Sequence, residues 1–560
     1  MLPDPDITLQ EPQESIVPPV GTSERKASAG GRIARAAIVL MAGTVLSRVL
    51  GLGREVVIAD LFGGGTDVDA FTIANHVATI VYDLLIAGTV SAALVPVFSE
   101  YTDRAQRPEF GRVVSTILTV AAIFLVGAVL LLEVVAQPLS AFMGAGFKED
   151  ARSLALEMTQ WVLPGVFFMG LSGVVMAAHY ALGRFVYPAF SSAMFNAAII
   201  FCAFTLAGAL GVKSLVVGMV IGAFAMLALQ APGLRDVPLR PRLDMRHPAV
   251  RKIFRLYAPV GLSVVVSSAA LVIDRNLASQ TGQGSISAMR FATTLIQFAM
   301  GLVAAAISLA ALPSLSQHFS RGDSTAYKKT LASGLRMVWV MALPAAAGLL
   351  ALAEPIVGLV FRHGAFNPEN QSLTVLALLF YVPGLPFGAV DQVLIFAFYA
   401  RKNTLTPVLV GIAAITVYLI TALSTLYTMG MAGLVLANSV QLTFHAIVTG
   451  ILLWRTLGRE GGLKGYGIGD TALKVLGAAA AMAAVSYGTW WLLVNIVGLQ
   501  ADSLITEAVL LGVPALLGGG LYIALVWLMR LPEVELIAGK IRGRLKRDGR
   551  RTTDDRYNRR

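Results

Sequence analysis

The chain has 560 residues, of which 56% are hydrophobic and only 14% are charged. A soluble chain of this length carries about 25% charged residues, so the composition excludes a soluble multidomain protein and predicts that lipid is its main solvent. The net charge of +11 comes largely from Lys and Arg in short loops between apolar runs. That placement is typical of cytoplasmic loops in membrane proteins and argues against a nucleic-acid partner.

The two ends of the chain are polar. Residues 1–31 are acidic and rich in proline and then basic, without the apolar core of a signal peptide, which predicts a disordered cytoplasmic tail. Residues 531–560 are expected to form a basic cytoplasmic tail. This tail either lies on the anionic inner leaflet or is solvated. The single cysteine, Cys202, lies in an apolar run, so no intramolecular disulfide can form.

Between the tails, apolar runs recur that are long enough to cross a membrane as helices, since about 20 residues span the hydrocarbon core of a bilayer. Fourteen such runs predict an all-α polytopic membrane protein. They cover residues 36–61, 70–98, 113–135, 153–181, 186–208, 211–231, 253–279, 287–315, 329–352, 372–399, 405–427, 430–454, 471–497 and 505–529.

The loops between these spans alternate in charge. Loops after even-numbered spans carry basic residues such as Arg401 and Lys402, whereas three loops after odd-numbered spans (FGGGTDVD, QTGQGS and TMG) carry none. An error of one span would destroy this alternation. The positive-inside rule therefore predicts an even number of spans with both termini in the cytoplasm.

The chain also repeats itself. Segment 163–190 resembles segment 382–409, and the prolines that the two segments share keep a constant separation, Pro164 matching Pro383 and Pro188 matching Pro407. Each repeating unit holds six spans, an even number, so both units begin on the same side of the membrane. The sequence therefore predicts two parallel six-helix lobes, the arrangement of two-lobed alternating-access transporters, followed by two extra helices.

This duplication divides the chain into six predicted parts. They are a disordered cytoplasmic tail (1–31), an N-lobe of spans 1–6 (32–231), a cytoplasmic linker (232–252), a C-lobe of spans 7–12 (253–456), a loop with spans 13 and 14 (457–530) and a basic cytoplasmic tail (531–560).

The first span contains charges where its neighbours are apolar. Arg48 lies twelve residues into this span, about 18 Å at 1.5 Å per residue, where an arginine costs at least about 2.5–3.5 kcal/mol. Glu55 lies two turns further on the same face, and Arg54 points about 120° away from Arg48. Such a cost predicts that the arginines face a wet cavity or an anion, and guanidinium groups suit phosphate oxygens bidentately.

Further charges fall mainly in the first two spans of each lobe, where the lobes are expected to face each other. Asp69 and Asp83, at the start of and inside the second span, either line the cavity or cap and bridge helices. Asp274 and Arg275 in the seventh span are either cavity residues or a locally compensated pair. Arg290, near the start of the eighth span, is the arginine that the C-lobe contributes.

No enzyme motif competes with this interpretation. The chain has neither G-x-x-x-x-G-K-[ST] nor H-E-x-x-H, and its six histidines are too dispersed for a metal cluster. The sequence therefore predicts no catalytic residue, no metal site and no cofactor. Transport is expected to depend on the membrane potential or an ion gradient, with Na⁺ or H⁺ as the candidate coupling ion.

Six stretches carry a family resemblance. They are SRVLGLGRE (47–55), FGGGTDVDAFTIA (62–74), AGTVSAALVPVFSEY (87–101), LVIDRNLAS (271–279), GSISAMRFATTLIQF (284–298) and ALPSLS (311–316). Together they closely resemble the MurJ (MviN) lipid II flippases of the MOP exporter superfamily, over about residues 32–456. The resemblance implies a two-lobed fold of fourteen helices, a cationic central cavity that binds pyrophosphate, and a groove for the lipid tail on the last two helices.

The resemblance also implies site residues. Ser47, Arg48, Arg54 and Asp69 match family positions of functional importance. Together with the charges at membrane depth, it predicts that Arg48, Arg54 and Arg290 bind the pyrophosphate. The residues predicted to line the cavity or to couple its motion are Ser47, Glu55, Asp69, Asp83, Asp274 and Arg275.

The chain departs from the family pattern at two places. Tyr82 and Asp83 stand where many members have paired arginines in the second span. Thr294 stands where many members have an arginine in the eighth span. Arg290 lies one turn before Thr294 on the same face and is expected to supply the missing charge.

The resemblance implies a transporter that moves lipid II, the undecaprenyl-pyrophosphate-linked peptidoglycan precursor, from the inner to the outer leaflet of the bacterial cytoplasmic membrane by alternating access. The expected partners are this substrate, membrane lipids and the cell-wall synthesis machinery, and no nucleic acid. The alternatives are a flippase for another undecaprenyl-pyrophosphate-linked oligosaccharide (O-antigen or exopolysaccharide), a multidrug or cation antiporter, and a membrane scaffold without transport activity.

Overall fold

The computed structural model describes residues 22–83, 93–103, 106–458, 462–501 and 503–531. Within these ranges the backbone alone is described at 22–37, 258–260, 262–263 and 302–313. The described residues form seventeen α-helices and contain no β-strand, which confirms the predicted all-α fold.

Each predicted span contains a helix. The N-lobe helices are α1 (Thr22–Phe62), α2 (Thr66–Tyr82), α3 (Val95–Ser99), α4 (Arg107–Met143), α5 (Glu149–Ala181), α6 (Val186–Leu210) and α7 (Lys213–Gln230). The C-lobe helices are α8 (Pro248–Ser279), α9 (Ser285–Ser320), α10 (Ser324–Ala351), α11 (Ala353–Phe361), α12 (Pro368–Tyr381), α13 (Leu385–Ala400), α14 (Leu405–Met429) and α15 (Met431–Gly458). The two extra helices are α16 (Ile468–Asn495) and α17 (Leu504–Leu528).

Among the described residues, ten helical segments are long and apolar enough to cross a membrane, so the chain is a multi-pass membrane protein. They are α4 to α7, α10, the pair α12–α13, and α14 to α17. The first two helices of each lobe, α1, α2, α8 and α9, are not among these ten. These are the helices in which the sequence places most of its charges at membrane depth.

The tails differ in part from the prediction. α1 begins at Thr22, so residues 22–31, predicted as the end of a disordered tail, are helical. This segment follows the last proline of the tail, Pro19, and contains several strong helix formers. Residues 1–21 and 532–560, the rest of the two predicted tails, lie outside the described residues, as do residues 84–92 in the second predicted span.

The tenth predicted span is not one continuous helix. α12 ends at Tyr381, and a 3-10 turn over Val382–Gly384 separates it from α13. Pro383 and Pro386 cannot donate the backbone hydrogen bonds that a continuous helix needs. The short helix α11, after the ninth span, is a further element that the sequence did not indicate.

The duplication is visible in the backbone. α6 and α14 each have 25 residues and each ends at a glycine with a φ of 56°, Gly211 and Gly430. The turns that precede these helices also match, with a φ of 68° at Gly183 and 59° at Lys402. Both pairs have the same separation in sequence as the matched prolines. These equal offsets confirm the repeat that the prolines predicted.

Equivalent helices pack in equivalent ways. α6 packs along α7 as α14 packs along α15, and α2 packs on α5 as α9 packs on α12 and α13. α16 packs on α10 and α17, so the two extra helices join the C-lobe. The lobes meet where α1 and α2 contact α9 and where α4 contacts α8. The charged helices therefore lie at the interface between the lobes.

Candidate functional site between the lobes

The N-lobe wall of the site is α1, which is held firmly against α6. At Gly43 the two backbones are so close that a Cβ atom on this glycine would overlap with Ala189. One turn later, Ser47 Oγ donates to Ser192 Oγ at 2.7 Å, and Asn196 Nδ2 donates to Ser47 O at 3.2 Å. These contacts fix the rotation of α1 about its axis, and with it the direction of its charged side chains.

Glu55 is the centre of a buried charge cluster. Its side chain is 2% exposed and accepts hydrogen bonds from two guanidinium groups. Arg54, its neighbour on α1, donates from Nη2 to Glu55 Oε1 at 2.7 Å. Arg290, on α9, donates from Nε to Oε2 at 2.8 Å and from Nη2 to Oε1 at 2.9 Å. This carboxylate thus links the lobes through charge-assisted bonds.

Four helices surround the two guanidinium groups of this cluster. Arg290 Nη1 donates to Thr72 Oγ1 of α2 at 3.4 Å, and its guanidinium carbon lies 4.8 Å from the ring centroid of Phe71, which adds a cation–π interaction. Arg54 Nη1 donates to Asn196 Oδ1 of α6 at 3.0 Å. α1, α2, α6 and α9 therefore converge on one cationic centre.

Arg48 contacts a different level of α9. Its Nη1 donates to Gln297 O at 2.9 Å, and the guanidinium lies so close to Gly301 that a Cβ atom there would overlap with it. Arg48 and Glu55 are two turns apart on α1, as Arg290 and Gln297 are on α9. The antiparallel helices α1 and α9 thus meet at two levels about 10 Å apart.

We call this contact the α1–α9 seam, defined by Arg48, Arg54, Glu55, Arg290 and Gln297. It brings together the three arginines for which the sequence predicts pyrophosphate binding. Among the described side chains, Glu55 is the carboxylate bonded to them, so the seam carries a net positive charge. The N–H groups of these arginines can donate hydrogen bonds to a phosphate as they do to a carboxylate.

Asp69 lies outside the α1–α9 seam and caps a helix instead. It is 1% exposed, and its two oxygens accept bonds at 2.7 Å from the backbone N of Gly284 and of Ser287. These N–H groups begin α9, where a carboxylate satisfies unpaired donors and favours the helix dipole. The structure therefore places Asp69 in the capping alternative considered from the sequence.

Further hydrogen bonds to backbone oxygens hold the two lobes together at the same end of the bundle. Ser287 Oγ donates to Gly64 O at 2.8 Å, and Ala365 N donates to Asp60 O at 2.7 Å. Gly63, with a φ of 72°, lies against Ala365, so that a Cβ atom there would be 2.7 Å from the Ala365 oxygen. The glycine-rich loop between α1 and α2 thus allows the two lobes to touch.

Asp274 and Arg275 contact each other within the C-lobe. Arg275 Nη2 lies 3.1 Å from Asp274 Oδ2, and the hydroxyl of Tyr418 on α14 donates to Asp274 Oδ1. Both side chains are largely buried and line a cavity of about 400 Å³ that is enclosed by α8, α9 and α12–α15. The two residues thus pair with each other and also line this cavity.

Asp83 ends α2, well beyond Asp69, and its neighbour Tyr82 packs against the N-lobe core. The structure does not bring Asp83 to the α1–α9 seam. Within the described part of the chain, no group of three or more His, Cys, Asp or Glu side chains is placed to hold a metal ion.

Neutral residues complete the seam, and the sequence analysis missed them. Asn196 offered a signal, because an amide in an otherwise apolar span usually has a polar partner inside the bundle. Thr72 offered none, since a helical threonine commonly bonds its own backbone, as Thr72 also does with Val68 O at 2.7 Å. Gln297 contributes its backbone oxygen, which any residue type could provide.

Comparison with known proteins gives close matches in sequence. A family model described as lipid II flippase MurJ matches residues 58–499. The probable lipid II flippase MurJ of Vibrio cholerae serotype O1 is 31% identical, over 77% of this chain and 84% of its own length. The lipid II flippase MurJ of Burkholderia cenocepacia is 28% identical, over 88% of this chain and 97% of its own length.

Solved structures match the fold. A lipid II flippase MurJ in an inward closed conformation aligns with a TM-score of 0.73 at 22% identity, covering 88% of this chain and 98% of that one. An inward-facing multidrug transporter of the MATE family, in the MOP superfamily, aligns with a TM-score of 0.65 at 14% identity, covering 76% and 98%. These likenesses concern the fold alone, and they confirm the MOP-type architecture.

Proposed function

The chain belongs to the MurJ family, and we propose that it is a flippase that moves lipid II from the inner to the outer leaflet of the bacterial cytoplasmic membrane. Its relatives are named for this activity, and a multi-pass helical bundle suits a cargo with a lipid tail. The observation that carries the proposal is the α1–α9 seam, where Arg54 and Arg290 share the carboxylate of Glu55 between the lobes and Arg48 lies two turns away on α1.

In this proposal the pyrophosphate of the substrate replaces Glu55 as the partner of Arg54 and Arg290. Each guanidinium presents a planar fork of N–H donors that matches two phosphate oxygens. Since one arginine lies on α1 and the other on α9, an anion between them contacts both lobes, as alternating access requires. Glu55 competes for the same donors and so favours release of the substrate.

Arg290 is proposed to replace the family arginine that is absent at Thr294. Thr294 Oγ1 donates to Arg290 O at 3.0 Å, which places the two residues one turn apart on the same face of α9. The paired arginines of the second span have no counterpart, since the chain has Tyr82 and Asp83 there, and Tyr82 packs against the N-lobe core. The positive charge for the headgroup is therefore assigned to α1 and α9.

We propose that the membrane potential contributes to the cycle. Three guanidinium groups and one carboxylate give the empty seam a net charge of about plus two, and a bound pyrophosphate of about two negative charges neutralises it. An inside-negative potential then favours the inward return of the empty, cationic site. In proteoliposomes that contain lipid II, collapsing the potential should slow repeated transport more than a single turnover.

The lobes are proposed to separate at the α1–α2 loop, where Asp69 caps α9 and Ser287 bonds Gly64. With both termini in the cytoplasm, this end of the bundle faces outward. Reporter fusions should give an outside signal at Gly64 and an inside signal at Arg240. A cytoplasmic signal at Gly64 would overturn the proposed orientation.

The test of the function is replacement of the resident flippase in bacterial cells depleted of it. The wild-type chain should restore growth and lipid II export. Arg290→Ala should reduce export by about 10- to 100-fold, the worth of hydrogen bonds to a charged group. Arg48→Lys should keep part of the activity, because an ammonium retains the charge and loses the fork. Arg455→Ala, at an exposed position on α15, is the matched control.

Two outcomes would contradict the proposal. A wild-type chain that inserts normally and restores O-antigen export, but not lipid II export, would favour the flippase of another undecaprenyl-linked glycan. Full lipid II export by a chain in which Arg48, Arg54 and Arg290 are all alanine would show that the anion site lies elsewhere.

A further inference from the structure

The lipid-facing side of the N-lobe contains a crevice that is separate from the α1–α9 seam. It is enclosed by α4, α5, α7 and the linker between the lobes, and its volume is about 490 Å³. Its walls are apolar and include Leu118 and Ile123 of α4, Leu171 of α5 and Leu227 of α7. None of the residues that line it lies on α1 or α9, the two helices of the seam.

The crevice opens toward the hydrocarbon of the bilayer. Ile123 at its edge is 57% exposed, and the adjacent Phe124 is 60% exposed. On an apolar transmembrane helix such side chains face lipid tails. An acyl chain can therefore enter sideways from the bilayer, and the volume is within the range of pockets that bind small ligands.

The linker forms a polar lip over this crevice. The backbone N of Arg240 donates to Ser115 Oγ at 3.0 Å, and the backbone N of Arg242 donates to Thr119 Oγ1 at 3.1 Å. The linker is thus held to α4 by its main chain. Its guanidinium groups are not needed for this attachment, and both arginines are exposed.

The amino-acid composition of this lip is that of a segment lying on a membrane surface. Asp236 is already paired with Arg184, so it does not neutralise Arg240 or Arg242. Leu243, the next residue along, is 62% exposed. Exposed apolar side chains among arginines are typical of segments that lie at the level of anionic headgroups.

We propose that this crevice binds one anionic glycerophospholipid from the leaflet that the linker faces, which the charge pattern makes the inner leaflet. One acyl chain fills the apolar space beside Leu118, and the phosphate bonds to Arg240 and Arg242. A soluble phosphate would leave the apolar walls empty, and a zwitterionic lipid would add no net negative charge. The bound lipid joins the linker to α4 and so steadies the connection between the lobes. This inference does not depend on the proposed cargo.

The experiment uses the full-length chain in nanodiscs of phosphatidylcholine that contain about one-tenth phosphatidylglycerol with a photoactivatable acyl chain. Cross-linked peptides are then identified by mass spectrometry. We expect labelling of residues 115–123 and 227–241, about tenfold stronger with the phosphatidylglycerol probe than with a phosphatidylcholine probe that has the same tails, since each arginine near a membrane surface favours anionic lipid.

Three variants distinguish the contribution of the lipid headgroup to binding from that of the apolar crevice. Arg240→Gln combined with Arg242→Gln should reduce labelling by phosphatidylglycerol to the level of phosphatidylcholine, whereas Arg240→Lys should keep most of the preference. Ala122→Phe, which fills the crevice, should abolish labelling by both probes. Val126→Phe, at an exposed position on the same helix, is the matched control and should label as the wild type does.

Equal labelling by the two probes in the wild type would mean that ordinary boundary lipid occupies the crevice, and it would overturn the proposal. So would a phosphatidylglycerol preference that survives the double Gln variant. Arg290→Ala, in the α1–α9 seam, should leave the labelling unchanged even if it abolishes export. Failure of this lipid site and failure of the proposed function are therefore distinguishable.

Discussion

The first helix of each lobe is held in a different way. In the N-lobe, α1 packs along α6 at several levels, through Gly43, Ser47 and Arg54. In the C-lobe, the equivalent helix α8 makes few contacts with α14. A hydrogen bond from the Tyr418 hydroxyl to Asp274 joins these two helices.

α8 contacts the opposite lobe instead. Near its C-terminal end, Asn276 Nδ2 donates to Phe142 O of α4 at 2.6 Å, and Ser279 Oγ accepts from Gly146 N at 3.0 Å. The cavity of about 400 Å³ beside Asp274 is the space that α8 leaves within its own lobe. Two sequence-related units thus form unlike walls. Thus α1 is held mainly within its own lobe, whereas α8 is held in part by the opposite lobe.

The largest effect is expected where α1 is joined to the other lobe. Glu55→Ala leaves Arg54 and Arg290 buried and facing each other without their shared carboxylate. Removing one partner from a buried ion pair costs about 3–5 kcal/mol, so the free energy of unfolding in detergent should fall by about this amount, and export should be lost.

The matched control is the double variant Glu55→Ala with Arg290→Ala. It removes one of the stranded charges and should recover part of the lost stability, but no export. If Glu55→Ala alone were as stable as the wild type, the ion pairs of Glu55 would not stabilise the contact between the lobes.

The next effect tests the unequal packing of the two first helices. Gly43→Ala places a Cβ atom against Ala189 of α6, and overpacking of this kind costs about 1–3 kcal/mol. In Gly261→Ala, near the equivalent position of α8, the added Cβ atom would lie 3.2 Å from the ring of Tyr257 on the same helix, so a shift of a few tenths of an ångström relieves the contact. Thermal unfolding should show a clear loss for the first variant and little change for the second.

A smaller effect is expected where α8 touches its own lobe. Tyr418→Phe removes the hydroxyl that bonds Asp274, at a cost of about 1 kcal/mol. Hydrogen exchange in residues 264–279 should become faster, because α8 loses its hold on α14. Tyr427→Phe on the same helix, where the side chain is 89% exposed, is the control. Unchanged exchange in Tyr418→Phe would mean that other contacts, such as those with α4, position α8.

Most of the fold could be predicted from the sequence because it depends on patterns that repeat. Span length follows from bilayer thickness, and the constant offset between matched prolines such as Pro164 and Pro383 predicts the two lobes. The break at Val382–Gly384 was missed, although its proline was used to align the repeat. The loose packing of α8 on α14 could not be predicted, because it depends on the contact of α8 with α4, which is distant in sequence.

The site could be predicted only in part. The cost of burying charge identified Arg48, Arg54 and Arg290 as residues that need a partner. It did not identify the partner of each one, because helix geometry gives the face of a residue and not the rotation of the opposing helix. Thus Glu55 bonds two arginines, while Arg48 bonds the backbone of Gln297.

The smallest effect concerns the turn before α6 and its equivalent before α14. In the N-lobe, Arg184 bonds Asp236 with two N–H groups, at 2.6 and 2.5 Å. At the equivalent position of the second repeat, Asn403 bonds the first turn of α14: its Oδ1 accepts from Thr406 N at 3.1 Å, and its Nδ2 donates to Thr406 Oγ1 at 2.9 Å. The N-lobe turn is therefore ionic and the C-lobe turn is not.

This difference predicts that acid weakens one turn and not the other. The guanidinium of Arg184 lowers the pKa of Asp236 from 3.8 to about 2. The ion pair therefore adds stability at pH values above about 4, and the contribution is lost as the pH falls from 4 towards 2. Because half of the Asp236 side chain is exposed, the gain is at most about 1 kcal/mol. Asp236→Asn should lower the unfolding midpoint slightly at pH 6 and not at pH 2, whereas Asn403→Ala should lower it equally at both. A loss in Asp236→Asn that persists at pH 2 would show that the N-lobe turn depends on the shape of the side chain and not on its charge.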